Sequence, residues 1–342
     1  MVRPGRLRPP MQTVALSQIG VVAIGRNEGD RLKRSIRSLP EGLASVVYVD
    51  SGSSDGSVEF ARTAGAQVVA LDMSTPFSAA RARNAGWQRL IELHPALPFV
   101  QFIDGDCEII KGWLNAAHAV LSAEPSVAVV CGRRRELSPG ASVFNRLCDM
   151  EWDTPVGEAD ACGGDAMFRV SALLAVGGYD PTVIAGEEPE LCLRLRRAGH
   201  RILRIDHEMT RHDAAIDRLS QWWLRNVRAG HAYAEGHHRY GSGPEHFNRR
   251  QLASNLAWGL ALPTMSLGLA LPTLGGSLWL LGLYAVPYKR ALADRISRGD
   301  SPEDAALYAK YAVLGKLPQA RGALQFHARR LRRIPSTLIE YK

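Results

Sequence analysis

Between residues 17 and 215, short β-branched apolar runs alternate with amphipathic stretches, and an α/β layer fold is what satisfies such a pattern. Residues 19–24 read as a strand and 31–39 as a helix. Residues 45–49, 67–71 and a run ending at Asp104 read as further strands, with helices over 57–64 and 78–93 between them. In open sheets of this kind, ligands gather outside the carboxyl ends of the strands. Asp50, Asp72 and Asp104 each follow a strand and are expected along that edge.

Asp104-Gly105-Asp106 is the sharpest chemical signal on it. Residues two apart in an extended segment point to the same face, so the two carboxylates can converge on one target. Gly105 lets that target approach the backbone. Hard oxygen donors at a strand mouth suit Mg²⁺ or Mn²⁺ bridging a diphosphate. A simple surface turn is the alternative for the tripeptide alone.

The 342 residues suffice for one large domain plus an appendage, and 46% hydrophobic against 22% charged residues excludes wholesale disorder. The five cysteines (107, 131, 148, 162 and 192) form no C-x-x-C pair. They read as isolated thiols in a reducing compartment, neither a disulfide frame nor a zinc site. Residues 1–10 carry arginines with no apolar stretch behind them, so no secretory signal is expected.

The net charge of +8 is concentrated at the end: residues 289–342 hold 12 Lys and Arg against 5 Asp and Glu. Before them, residues 251–288 contain no charge and are interrupted by Pro263, Pro272 and Gly275-Gly276. Basic flanks on both sides favour a hydrophobic hairpin or re-entrant membrane segment with both ends cytoplasmic, over the alternative of a buried helix pair. Anionic membrane lipid, rather than nucleic acid, is then the expected partner of the tail, at the cytoplasmic face of the cell membrane. Trp222-Trp223 with Arg225 reads as part of an interfacial amphipathic helix. The expected domains are 17–215 (catalytic), 216–250 (amphipathic helical linker), 251–288 (the hydrophobic hairpin) and 289–342 (basic helical tail). Within the tail, Ser301-Pro302-Glu303-Asp304 opens a helix as a capping box.

The polar signals follow in a fixed order: Arg26-Asn27-Glu28, Val49-Asp50 through Ser57, Ala82-Arg83-Asn84-Ala85-Gly86, then Asp104-Gly105-Asp106. Gly163-Gly164-Asp165-Ala166-Met167-Phe168-Arg169, Gly177-Gly178-Tyr179-Asp180 and Gly186-Glu187-Glu188 through Leu195 complete the series. Together they resemble family 2 glycosyltransferases of the GT-A fold, a Rossmann-like mixed sheet flanked by helices, over roughly residues 17–215. The resemblance implies a nucleotide-sugar donor, and that Asp50, with Asp55 supporting its turn, holds the base. Asp55 reads equally as a helix cap. Ser51 stands where many members carry a second Asp. Arg83 and Asn84 are implied to bind donor, although a solvated helix charge is the alternative for Arg83. Asp104 is implied to contact ribose and metal, Asp106 to ligate Mg²⁺ or Mn²⁺, and His212 to lie near the metal or diphosphate, where a structural histidine is the alternative.

Glu187 and Glu188 precede a helix in which Leu191, Leu195 and Ala198 are expected to face the core. Adjacent carboxylates repel, raising at least one pKa, which suits general-base work. Complementing the helix dipole is the alternative. Relatives usually carry Glu-Asp here, and the position implies that Glu188 is the base and Glu187 its neighbour and possible substitute. The expected activity is inverting transfer to an acceptor hydroxyl, on a lipid-linked saccharide given the apolar segment. A variable loop around 144–158 is expected to set the pocket shape that decides donor sugar, acceptor and linkage. His237-His238 has no ligand spacing, and Gln221–Arg225 does not match the processive synthases. A sugar nucleotidyltransferase lacks its triphosphate turn at 25–29, and no G-x-G-x-x-G follows the first strand. A non-catalytic membrane scaffold on the same fold is the other alternative, kept open by the Glu-Glu pair.

Overall fold

A computed structural model describes residues 16–334 and 339–340. Four parallel strands build the first half of one mixed sheet: β1 (Ile19–Gly25), β2 (Ser45–Asp50), β3 (Gln67–Ala70) and β4 (Phe99–Asp104), in the order β3-β2-β1-β4. α1 (Asp30–Arg37), α2 (Ser57–Thr63) and α3 (Ala79–Leu93) connect them. β1 reads Ile-Gly-Val-Val-Ala-Ile-Gly because both its faces are covered, the usual condition of a central parallel strand. α3 lies directly on it. A Cβ on Gly86 would come within 2.2 Å of Val22 Cγ1, so only glycine permits that approach.

The second half turns the sheet mixed. β5 (Cys107–Ile109), β6 (Val127–Glu136), β7 (Gly157–Glu158), β8 (Ala166–Arg169) and β9 (Arg201–His212) follow, with α4 (Trp113–Ala123), α5 (Val143–Glu151), α6 (Val170–Val176) and α7 (Glu187–Arg197). β8 inserts antiparallel between β4 and β6, and β9 runs parallel to β6. Phe102 and Phe168, edge to face at 5.3 Å, mark the core where β4 and β8 meet. The expected loop at 144–158 is largely the helix α5, capped by Ser142, whose hydroxyl accepts from Asn145 N–H at 3.0 Å.

The C-terminal third packs onto this domain as α8 (Leu219–Tyr240), α9 (Arg249–Leu256), a π-helical turn Ala257–Ala261, α10 (Leu262–Gly268), a 3₁₀ helix Gly276–Tyr284, α11 (Ala285–Ser297), α12 (Pro302–Leu314) and α13 (Lys316–Leu331). α8 and α13 cross at glycines. A Cβ on Gly230 would stand 1.9 Å from Gln319 O, and one on Gly322 2.0 Å from Val227 O. α12 starts as its sequence demands, with Ser301 Oγ accepting from Asp304 N–H at 3.1 Å and Pro302 at its first turn.

The expected membrane-associated region is overturned. Among the described residues, no helix is long and apolar enough to cross a membrane. The uncharged run is divided between the end of α9, the π turn, the seven-residue α10 and the 3₁₀ helix. Positive φ at Leu274 and Gly275 reverses the chain, and Ser277 Oγ donates to Ser266 O at 2.7 Å across the reversal. A spanning helix needs about 20 consecutive apolar residues. Gly259 instead seats the π turn against α13, where a Cβ would stand 1.9 Å from Lys316 O, while Leu271, Leu274 and Trp279 at the far end stay exposed. With that segment goes the support for a position at the membrane face.

Several tail cations are held internally. Arg295, 2% exposed, pairs with Asp300 and donates to Met150 O at 3.1 Å, and Arg298 pairs with Asp294. Nor is Trp222 interfacial. It is 4% exposed and stacks on Phe144 at 6.1 Å in a cluster that α12 closes with Tyr308 and Tyr311. All five cysteines are free and buried. Residues 1–10, where no secretory signal was expected, lie outside the described residues.

Candidate active site

Strand register sets the site's frame. Ile24 stands opposite Asp104 on one side of β1, and Gly25 opposite Asp50 on the other, so both acids reach the same edge of the sheet. They face different tasks there. Asp50 Oδ2 accepts from the N–H groups of Gly52 and Ser53, both at 2.9 Å, and Tyr48 Oη donates to Oδ1 at 3.2 Å. The carboxylate thus closes its own turn, and Ser51, not Asp50, lines the cleft beyond. Asp55, one residue before the N-cap Gly56 of α2, accepts from Ser57 N–H at 3.1 Å. Asp72 is a surface residue bonded to Ser74.

Arg83 is the hub. It is 2% exposed and donates from Nη2 to Asp104 Oδ1 at 2.8 Å, while Nη1 stands 3.0 Å from Glu187 Oε1 and 2.9 Å from Glu188 Oε1. Tyr179 lies beneath the guanidinium, 5.7 Å from ring centre. A buried arginine on the first turns of a helix is costly unless carboxylates surround it, and here three do. The space for it exists because residue 164 is glycine, where a Cβ would sit 2.3 Å from Arg83 Nη2. Asn84 does something else. Its Nδ2 donates to Tyr179 O at 2.7 Å, and its Oδ1 accepts from Tyr179 N–H and Trp87 Nε1–H at 3.0 Å each. That amide ties α3 to the 177–180 turn and does not line the cleft.

Asp104 and Asp106 both line a cleft of about 400 Å³, with Ser51, Arg83, Glu187 and Glu188. Burial would raise the Asp104 pKa, but the Arg83 and Arg134 guanidiniums outweigh it and hold the carboxyl below its ordinary value. Asp106 Oδ1 is 3.3 Å from His212 Nε2, on the last residue of β9. Glu136 stands behind that ring, 3.9 Å from Nδ1, and Trp152 lies edge to face at 4.8 Å. Ligand atoms of Asp106, His212 and Cys107 all fall within 4.8 Å of one another. Burial pushes the Cys107 thiol well above its usual range in the metal-free site. The Asp106 carboxylate is a hard donor of the kind that Mn²⁺ or Mg²⁺ takes. The surrounding charge fits as well, with Asp104, Asp106, Asp165, Glu187 and Glu188 gathered around two guanidiniums.

Arg134 and Asp165 had no assigned role in the sequence. Asp165, fully buried, accepts from Asp104 N–H at 3.1 Å and Thr210 Oγ1–H at 2.7 Å, and its Oδ2 forms an ion pair with Arg134 Nη2 at 2.8 Å. Arg134 in turn lies 3.5 Å from Asp104 Oδ2. Gly163-Gly164-Asp165 carried the signal for the acid. Nothing in the local sequence marked Arg134 among its neighbours Arg133 and Arg135.

Glu187 and Glu188 open α7 after Gly186, whose φ of 80° makes the sharp entry possible. Glu187 is 4% exposed and held by Arg83. The Glu188 carboxyl is pushed up to about 7, by burial first and then by the adjacent Glu187 charge, with Arg83 opposing. Glu188, unlike Glu187, also lines a second cavity of about 780 Å³ that opens behind α7. The first-turn acids therefore do more than complement the helix dipole.

A mixed sheet with Asp104 and Asp106 at its carboxyl edge and an acid pair opening the helix across the cleft is the α/β GT-A arrangement. Residues 21–174 match the family model described as glycosyl transferase family 2. A pre-mycofactocin glycosyltransferase of Mycobacterium tuberculosis is 30% identical over 225 residues, 62% of this chain and 46% of that protein. The succinoglycan biosynthesis protein ExoA of Rhizobium meliloti is 29% identical over 197 residues, 53% of this chain and 58% of its own. The chain spans about half the length of these curated relatives. A mannosyltransferase of Pyrobaculum calidifontis, solved with GDP-Man and Mn²⁺, shares the fold with a TM-score of 0.57 at 18% identity, over 96% of this chain and 90% of that one.

Proposed function

We propose that the protein is a family 2 glycosyltransferase that moves a sugar from a nucleotide-diphosphate sugar to an acceptor hydroxyl with inversion. The observation that carries this reading is the place of Glu188, a base pushed up to about 7 on the wall between two cavities, one of which holds Asp104 and Asp106. The donor lies in the smaller cavity, its base beside the turn that Asp50 and Asp55 stabilise and its diphosphate toward Asp104 and Arg83. Asp106, with His212 and Asp104, would hold Mn²⁺ or Mg²⁺, which when bound neutralises the diphosphate leaving group.

Glu188 takes the proton of the acceptor hydroxyl as that oxygen bonds to the anomeric carbon. The bond from that carbon to the diphosphate oxygen breaks, and nucleoside diphosphate leaves. Glu187 holds Arg83, which orients Asp104 and Glu188 together. The acceptor is a saccharide, lipid-linked in the manner of surface-glycan intermediates, and the likeness to a succinoglycan biosynthesis protein supports this.

The test is product analysis with UDP-, GDP- and dTDP-sugars and Mn²⁺, on wild type and Glu188→Gln. Glycoside plus nucleoside diphosphate, lost in the variant, is expected. Release of nucleoside triphosphate when pyrophosphate is added to the nucleotide sugar would make the protein a nucleotidyltransferase, and failure to bind any nucleotide would leave the scaffold reading.

A further inference from the structure

The larger cavity lies between the sheet domain, which contributes α5 and the start of α7, and the helices of the C-terminal third. α5, α8, α9, α11, α12 and α13 wall its 780 Å³, a volume in the range of small-molecule sites. It meets the smaller cleft at Gly186, Glu188 and Arg228, which line both. Its faces are of two kinds. The half-buried Tyr233, Tyr308 and Tyr311 supply aromatic surface, whose electron-rich faces take the C–H side of a sugar ring.

The charged residues are Glu151, Glu188, Arg225, Arg228 and Lys316. Arg225 is balanced by Glu151 at 2.7 Å, but the other two cations are not matched in this way. Lys316 Nζ is half-buried and donates to the neutral Asn255 Oδ1 at 3.0 Å. Among the described residues, no carboxylate pairs with Lys316 and no hydrogen bond or ion pair holds the Arg228 side chain. Asn255, fully buried, has its Nδ2 without a partner among the described residues. A half-buried cation facing a cavity without a counter-charge is a cost to the fold that an anionic ligand would remove.

We infer that this chamber is the acceptor site and that the acceptor carries an anionic group, a carboxylate or a phosphate, held by Lys316 and Arg228 while its reacting hydroxyl meets Glu188. The inference rests on the glycosyltransferase reading for the direction of transfer. It adds the chemical class of the acceptor and the residues that select it. The ring of the acceptor sugar stacks on the aromatic wall, and Lys316 is placed by the Asn255 amide.

Calorimetry on the full chain tests it with three matched probes: 4-nitrophenyl glucoside, 4-nitrophenyl glucuronide and 4-nitrophenyl glucoside 6-phosphate, each with and without the nucleotide and Mn²⁺. At least one anionic probe is expected to bind about 10-fold or more tighter than the neutral one, the value of a charge-assisted hydrogen bond. The better of the two identifies carboxylate or phosphate as the group recognised. The advantage should disappear in Lys316→Met and in Arg228→Met and return in Lys316→Arg, with nucleotide affinity unchanged in Lys316→Met. Equal affinity for all three probes, or no binding of any while nucleotide binds, would overturn the inference and leave the transferase reading standing. Failure of nucleotide to bind would instead strike the transferase reading, and the probe comparison without nucleotide still decides the chamber's preference.

Discussion

Gly164→Ala should disable the site while sparing the fold. The added Cβ would lie 2.3 Å from Arg83 Nη2 and 3.0 Å from Asp104 Oδ2. Ordinary contact begins near 3.4 Å, so the guanidinium must retreat by about 1 Å. That displacement carries the 2.8 Å bond from Nη2 to Asp104 past the ~3.2 Å at which a hydrogen bond is lost. A hydrogen bond between charged groups is worth about 1.5–3 kcal/mol, which corresponds to a fall of roughly 10- to 150-fold in kcat/KM. Nη1 also holds Glu187 and Glu188, so the base moves with the arginine and the loss should reach the upper part of that range. Gly163→Ala is the matched control, its Cβ meeting only Arg134 Nη2 at an ordinary 3.9 Å. Initial rates of nucleoside diphosphate release on both variants, with thermal melting to confirm folding, make the measurement. Activity of Gly164→Ala within threefold of wild type, or equal damage from Gly163→Ala, would refute the reasoning.

Glu188→Gln should lower kcat by about 10²- to 10⁴-fold, the usual contribution of a general base, as read by glycoside formation under saturating donor. Because the base must be ionised, wild-type kcat/KM should rise with pH up to about 7 and level off above it. Glu187→Gln removes a neighbouring negative charge and should shift that rise to lower pH, and an unmoved profile would argue against the pair. Asp106→Asn should abolish the Mn²⁺ dependence of nucleotide binding in calorimetry, whereas metal-stimulated binding retained in the variant would place the ion elsewhere. Gly322→Ala pushes a Cβ against Val227 O at 2.0 Å. It should cost about 1–3 kcal/mol as an overpacked helix crossing, seen as a lowered Tm, and an unchanged Tm would show that α13 is not pressed on α8 as described.

The first half of the fold was legible because its signals are local. Strand runs ending at Asp50 and Asp104 follow from periodicity, and strand register then puts both acids at one edge without further information. What periodicity does not report is where the chain returns. β8 slips antiparallel between β4 and β6, and that placement alone brings Asp165 and Arg134 to Asp104. Asn84 shows the same limit at one side chain: its position beside Arg83 suggested donor contact, but its amide is spent on Tyr179 and Trp87. The uncharged stretch at 251–288 misled for a different reason. Apolarity alone does not report helix length, and here Pro263, Gly259 and the turn at Leu274-Gly275 mark short pieces, seated on α13 at one end and exposed at the other.

The meeting of the two cavities at Gly186, Glu188 and Arg228 has a consequence for how such an enzyme can change. The family match ends at residue 174, before Glu188 and before most of the chamber wall. On the proposed assignment of the two cavities, substitutions along α8, α12 and α13 would retarget what receives the sugar while leaving the strand edge proposed for the donor as it is. Grafting residues 216–334 from one relative onto the sheet of another would then amount to a transplant of taste without a change of diet.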